Sequence, residues 1–267
     1  MPQSFVDSHA HLFYEDFAND LEDVLARARD SGVMDIVVPA TNVVTSEQSL
    51  ALAQRTERVA VAVGIHPHEA GKMTDEDLQR IEEFSRAPEV VAIGEIGLDF
   101  HYDFAPRDVQ RARFRSQIGI AVQEDLPIIV HTRESMEEAV DIVVEAANAS
   151  PGWCARGADG RRGVFHCFTG TAEQAKLLFD AGFYVSYPGI LTFKNSPVLG
   201  TLREIGLDRV LLETDAPYLT PAPFRGKRNE PSYLLYTAHK MAEVVETTVD
   251  DVAAVTTRNA RTLFALR

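Results

Sequence analysis

Residues 5–13 read FVDSHAHLF, and the choice between two α/β architectures turns on them. The stretch opens as a short apolar run, Phe5–Asp7, of the kind that forms a buried parallel strand. An open doubly wound sheet usually carries a glycine-rich phosphate loop directly after its first strand. Here that position holds His9 and His11, two apart, and no glycine. Side chains two apart on extended backbone point the same way, so both imidazoles can face one ion. By itself the pair is a weak signal, because two histidines in a surface loop would read the same.

Outward from this stretch the pattern repeats. Short apolar, β-branched runs follow at Ile36–Pro39, Val59–Val63, Val90–Ile93, Ile128–Val130, Val164–Phe165, Phe183–Ser186 and Val210–Leu212, each separated by room for a helix and two loops. Leu21, Val24, Leu25 and Ala28 have helical spacing, and Gly32 stands where a C-terminal cap belongs. Phe114, Ile118, Ala121 and Val122 repeat that spacing before Pro127 introduces the next strand. Thr248 and Asp251 form a capping-box pattern before a helix carrying Val252, Val255 and Leu263. Neither an internal repeat nor a linker divides the chain. These features predict a single (β/α)8 TIM barrel domain over residues 1–267, with the doubly wound sheet as the alternative.

Bulk composition agrees. The 267 residues are 45% hydrophobic and 25% charged, as in ordinary globular proteins. A chain this long buries roughly three-quarters of its unfolded surface, so any metal is expected to serve chemistry rather than folding. The net charge of −14 argues against a broad electrostatic grip on nucleic acid. It leaves room for a local basic pocket that handles one phosphate. Cys154 and Cys167 match no metal or redox spacing, and Cys167 reads as a small buried hydrophobe. No apolar run reaches the ~18 residues of a membrane span, and MPQSFVDSHA lacks a signal-peptide core. A cytoplasmic location is expected, with no membrane contact.

Functional residues of a barrel gather at the C-terminal ends of its strands. Glu95 follows strand four in VVAIGEIGLD, His131 strand five in PIIVHTRE, His166 strand six in GVFHCFTG, and Asp215 strand eight in VLLETDAPYL. Core filling accounts for one such residue but poorly for the set with His9 and His11. Imidazoles and carboxylates without thiolate suit Zn2+, Mn2+, Fe or, with more carboxylate and water, Mg2+. Six ligands leave room for two ions. Around these, His66 fits a substrate contact and His68 a surface residue. Glu213 fits an inner carboxylate orienting ligands, Arg133 the same cavity as His131, and Asp99 and His101 the rim; for each, a purely structural role is an equal account. The loop 220–231 carries Arg225, Lys227 and Arg228, placed for a phosphate oxygen. Arg156, Arg161 and Arg162 precede strand six and read as a solvated loop.

The motifs DSHAHL, GIHPH, IGEIGLD, HTRE, FHCFTG, ETDAPYLTP and RGKRNEP resemble, in order and spacing, those of the TatD-related metal-dependent deoxyribonucleases. That family sits among the amidohydrolase-like barrels, and the resemblance runs from Val6 to the final helix. It implies that His9, His11, Glu95 and Asp215 hold one divalent ion and Glu95, His131 and His166 a second, with Glu95 as bridge. It implies also that Asp215 is the general base, that Glu95 and Asp215 are the catalytic carboxylates, and that His66 and Arg225 face the substrate phosphate. DNA is the implied substrate, single-stranded or at 3′ ends, with Mg2+, Mn2+ or Zn2+ as cofactor. The segment Cys154 to Arg162 is longer and richer in Gly and Arg than the family pattern. The competing accounts are hydrolysis of a small amide, ester or lactone, and a noncatalytic metal-binding barrel.

Overall fold

The structure is a computed structural model that describes residues 4–154 and 160–266. Its strands form one sheet in chain order: β1 (Phe5–Asp7), β2 (Val33–Pro39), β3 (Val59–Val63), β4 (Val90–Asp99), β5 (Ile128–Arg133), β6 (Gly163–Phe165), β7 (Phe183–Tyr187) and β8 (Val210–Leu212). The pairings are parallel, as β1 with β2, β4 with β5, and β7 with β8 illustrate. Helices α1 (Leu21–Asp30), α2 (Val43–Ala53), α3 (Asp75–Phe84), α4 (Arg107–Gln123), α5 (Met136–Ala149), α6 (Ala172–Asp180) and α7 (Leu199–Ile205) alternate with the strands; α8 (Leu234–Val244) and α9 (Val249–Phe264) follow β8. The last strand meets the first: Ser8 N donates to Leu212 O at 3.0 Å, and Ala10 and Ala216 form a parallel bridge. This is the (β/α)8 barrel fold that the alternation predicts.

The described residues group into two compact units. One is drawn from 1–38, 167–172 and 185–267, the other from 39–166 and 173–184. In the first unit, α1 buries Val24, Leu25 and Ala28 and ends at Gly32, whose φ of 84° suits glycine. Thr248 and Asp251 make the expected capping box of α9, which buries Val252 and Leu263 and leaves Val255 half-buried. In the second, α4 buries Phe114, Ile118 and Ala121.

Several features depart from the expectation. Strand β4 runs on to Asp99 and β5 to Arg133, because polar side chains end the apolar run without ending the ladder: Gly97 pairs His131 and Asp99 pairs Arg133. Glu95 therefore sits inside β4, at a register shift between Ile93 and Ile96, rather than at the strand's end. Such bulges re-aim a side chain beside active sites. Gly97 has a φ of 145°, and a Cβ there would lie 2.1 Å from His131 O, so only glycine fits. Cys167 is half-buried, not buried, since its backbone turns through a φ of 45° to bring its N–H onto Glu213. Arg162 is more than a solvated charge: it donates to Ala181 O at 2.9 Å and to Pro151 O at 3.1 Å. Arg156, with most of the Cys154–Arg162 segment, lies outside the described residues.

Candidate metal centre

In the first unit the chain beyond β1 runs beside the chain beyond β8. Asp215 N donates to His9 O at 2.8 Å, and His11 N donates to Ala216 O at 2.8 Å. Asp7 ties the two segments: Thr214 N and Thr214 Oγ1 donate to its oxygens at 2.9 and 2.6 Å, and His9 N reaches Oδ1 at 3.3 Å. Burial pushes the Asp7 carboxyl up to about 7; the Thr214 and His9 hydrogen bonds oppose the rise and the Glu213 charge adds to it.

Pinning Thr214 leaves its neighbours on the other face. Glu213 turns inward, accepting from Cys167 N at 2.7 Å and Ser186 Oγ at 2.5 Å, so it braces β7 and the segment after β6. Asp215, at a φ of 56° that Asp tolerates better than most residues, turns toward the histidines. His9 Nε2 and His11 Nε2 stand 3.2 Å apart, and Asp215 Oδ1 lies 3.7 and 3.6 Å from them. Tyr14 lies tilted against His11 and Tyr218 edge-on to it, with ring centroids 5.4 and 6.4 Å away.

The second unit carries a cluster on β4, β5 and the end of β6. Glu95 Oε1 lies 2.9 Å from His131 Nδ1 and 2.8 Å from His166 Nε2, and those two nitrogens are 3.2 Å apart. His66 Nε2 stands 3.7 Å from the same oxygen, so His66 joins the Glu95–His131 group and could itself act as a donor there. Behind His131, its Nε2 lies 3.1 Å from Asp99 Oδ2, and His68 Nε2 lies 2.8 Å from that oxygen. Burial would raise the Asp99 carboxyl, but its hydrogen bonds with His131 and His68 hold it well below the usual range. Burial likewise opposes charge on His131, yet its bonds to Asp99 and Glu95 raise its pKa. A carboxylate on Nε2 fixes the tautomer that leaves Nδ1 free to donate a lone pair.

These donor sets fit divalent ions. Ligand atoms ~2.1 Å from a common ion lie roughly 3.0–3.4 Å from one another. Both sets approach that spacing, all their members but the half-buried His131 are buried, and nitrogen with carboxylate oxygen is the chemistry such ions take. His9, His11 and Asp215 converge as one set and Glu95, His131 and His166 as another.

Several residues outside these sets differ from expectation; among them His68 is half-buried against Asp99 rather than a surface residue. Asp99 is no rim group but a fully buried carboxylate behind His131. Asp7 was not singled out at all, although both end apolar runs, where an unpaired carboxylate is costly to bury. Arg228 is committed to structure: its guanidinium holds Asp20 at 2.8 and 2.7 Å and lies over Phe17, so it is no free phosphate contact. Arg225 is exposed, stacked 3.6 Å from the Phe193 ring centroid. His101 is an exposed partner of Glu134 at 2.6 Å, and Arg133 lies over Tyr102 at 4.8 Å.

Comparison with known proteins agrees with this chemistry. Residues 6–265 match the family model described as TatD related DNase. The chain is 44% identical to the uncharacterized metal-dependent hydrolase YabD of Bacillus subtilis, over 97% of this chain and 98% of that protein. It is 35% identical to the 3'-5' ssDNA/RNA exonuclease TatD of Enterobacter lignolyticus, covering 97% and 98%. Among solved structures, YJJV of Escherichia coli, a TatD homolog, superposes with a TM-score of 0.90 at 30% identity, covering 98% of both chains.

Proposed function

The chain belongs to the TatD related DNase family of metal-dependent hydrolases, and on that premise we propose that it cleaves DNA phosphodiester bonds, acting on unpaired strands or 3′ ends. The observation that carries this reading is the pair of imidazole–carboxylate sets, His9–His11–Asp215 and Glu95–His131–His166. We assign one divalent ion, Mg2+, Mn2+ or Zn2+, to each. When bound, such ions lower the pKa of water toward neutrality and offset phosphoryl charge.

The residues of the chain divide the remaining work. Asp215 accepts the proton of the attacking water, its carboxylate held by the backbone bond to His9 and by the Asp7–Thr214 clamp beside it. Asp99 keeps His131 in the tautomer that presents Nδ1, and Glu213 fixes the strand that delivers Asp215. Arg225 and His66 steady phosphate oxygens. Cys154 and Cys167 are the two cysteines in 267 residues, a sparing use that supports a reducing, cytoplasmic setting. Among the described residues, no helix is long and apolar enough to cross a membrane.

The test is a substrate panel: single- and double-stranded DNA, RNA, a simple phosphodiester, an amide and a lactone, each with Mg2+, Mn2+ or Zn2+. DNA cleavage that needs added metal is the expected result. Asp215→Asn should lower it by about 10²–10⁴-fold while circular dichroism shows an unchanged fold. Hydrolysis confined to the amide or lactone would replace the nuclease reading, and undiminished turnover by Asp215→Asn would remove Asp215 as the base.

A further inference from the structure

The loop between β4 and α4 exposes two large rings beside the His131 cluster. Phe104 is 62% exposed and Tyr102 40% exposed, with ring centroids 5.1 Å apart and planes tilted by 33°. Apolar surface of that size on a loop normally folds inward or gains a partner. These rings are instead held in place. Asp99 Oδ1 accepts the backbone N–H groups of His101 at 3.0 Å and Tyr102 at 3.3 Å. Gln110 grips both ends of the loop, donating to Asp99 O at 2.9 Å and Ala105 O at 3.0 Å. His68 packs edge-on to Phe104 and Tyr102, with centroids 4.8 and 5.5 Å away.

The same carboxylate therefore serves two purposes. Its Oδ1 sets the loop, and its Oδ2 meets His131 and His68. The exposed rings are thus referenced to the donor cluster through one buried group, while Arg133 places a cation 4.8 Å over the Tyr102 ring. Flat, exposed rings with a guanidinium alongside are what an unpaired nucleobase and its phosphate require, since stacking is indifferent to sequence. A chain of net charge −14 has particular need of binding that does not depend on electrostatic attraction.

We propose that Phe104 and Tyr102 form a stacking platform for one unpaired nucleobase of the substrate strand, with Arg133 beside its phosphate. The platform gives the enzyme its preference for unpaired over paired strands. The assignment rests on the nuclease reading above.

Binding separates the two ideas. A fluorescein-labelled single-stranded decamer is titrated by anisotropy with the Asp215→Asn protein, alone and combined with Phe104→Ala or Phe104→Trp. Phe104→Ala should raise Kd by about five- to a hundredfold, and Phe104→Trp should restore it. Single abasic sites walked along the decamer should reproduce the loss at one position. At that position the abasic site should cost the Phe104→Ala protein nothing further. A blunt duplex should not respond to Phe104→Ala. Unchanged Kd in Phe104→Ala, additive losses, or no binding of the decamer overturns the platform. Failure of the wild-type protein to cut any phosphodiester, with the Phe104-dependent binding intact, counts against the nuclease reading alone.

Discussion

Asp99 concentrates more of the site's organisation than any metal-ligand candidate. It is buried, receives two backbone N–H groups, and faces two imidazoles, one of them His131. Carboxylates in this position behind a ligating histidine govern its orientation and basicity. In Asp99→Asn, one amide oxygen still accepts the loop N–H groups, but an NH2 faces both imidazoles and the charge is gone. The expected result is a ~10–100-fold loss of divalent-metal affinity by titration calorimetry, with secondary structure intact. Equal affinity in variant and wild type would show that Asp99 serves the loop only. The motif IGEIGLD made Glu95 legible as a donor but left Asp99 ambiguous. Residues 95 and 99 stand four apart, yet only the extension of β4 past its apolar run puts both on one strand.

At the scale of elements, β4 is held to its partner by the absence of a side chain. Gly97 faces His131 so closely that alanine would put its methyl against the carbonyl at 2.1 Å, at a φ of 145°. Gly97→Ala should destabilise the protein by about 3 kcal/mol or more in urea unfolding, because both the contact and the conformation oppose it. A loss under half that size would mean that β4 shifts to make room. On the other unit, α1 is anchored by Arg27, which grips Glu230 with bonds of 2.8 and 2.7 Å while Ser232 Oγ adds one of 2.6 Å. Burial would raise the Glu230 carboxyl, but these bonds outweigh it and hold its pKa below the ordinary 4.5. A lowered folded-state pKa means the stabilisation is present above 4.5 and is lost as pH falls through the folded value. Glu230→Gln should therefore cost about 1–3 kcal/mol near neutral pH, toward the low end because Arg27 is 44% exposed. That difference should shrink progressively below 4.5, measured by urea unfolding across the acid range. A gap that widens in acid would contradict this sign.

For the whole molecule, the chain passes between the two compact units after residues 38, 166, 172 and 184. Neither unit is a continuous segment, and helix and strand alternate through both. We therefore propose that the chain behaves as a single domain, and calorimetry should record one cooperative transition with equal calorimetric and van't Hoff enthalpies. Divalent metal at ~100 times its Kd should add about 2.7 kcal/mol to the stability of the native state, and EDTA should remove that gain. Two separated transitions would disprove the single domain; an unmoved transition would disprove metal binding to the native fold. The order of apolar strands and amphipathic helices was enough to read the barrel, and residue types at the ends of apolar runs were enough to nominate candidate donors. Both properties are local, since periodicity encodes burial within a few residues. Partnership is different. Asp20 and Arg228 pair across 208 positions, Thr214 and Asp7 across 207, and nothing near either end of such a pair encodes the other. The basic loop could thus be read whole as a phosphate site, whereas the fold shows Arg228 spent on Asp20 while Arg225 stays exposed over Phe193. Which carboxylates offer donor oxygens and which brace strands depends on the buried hydrogen-bond donors each one meets, and only the folded chain brings those donors to it.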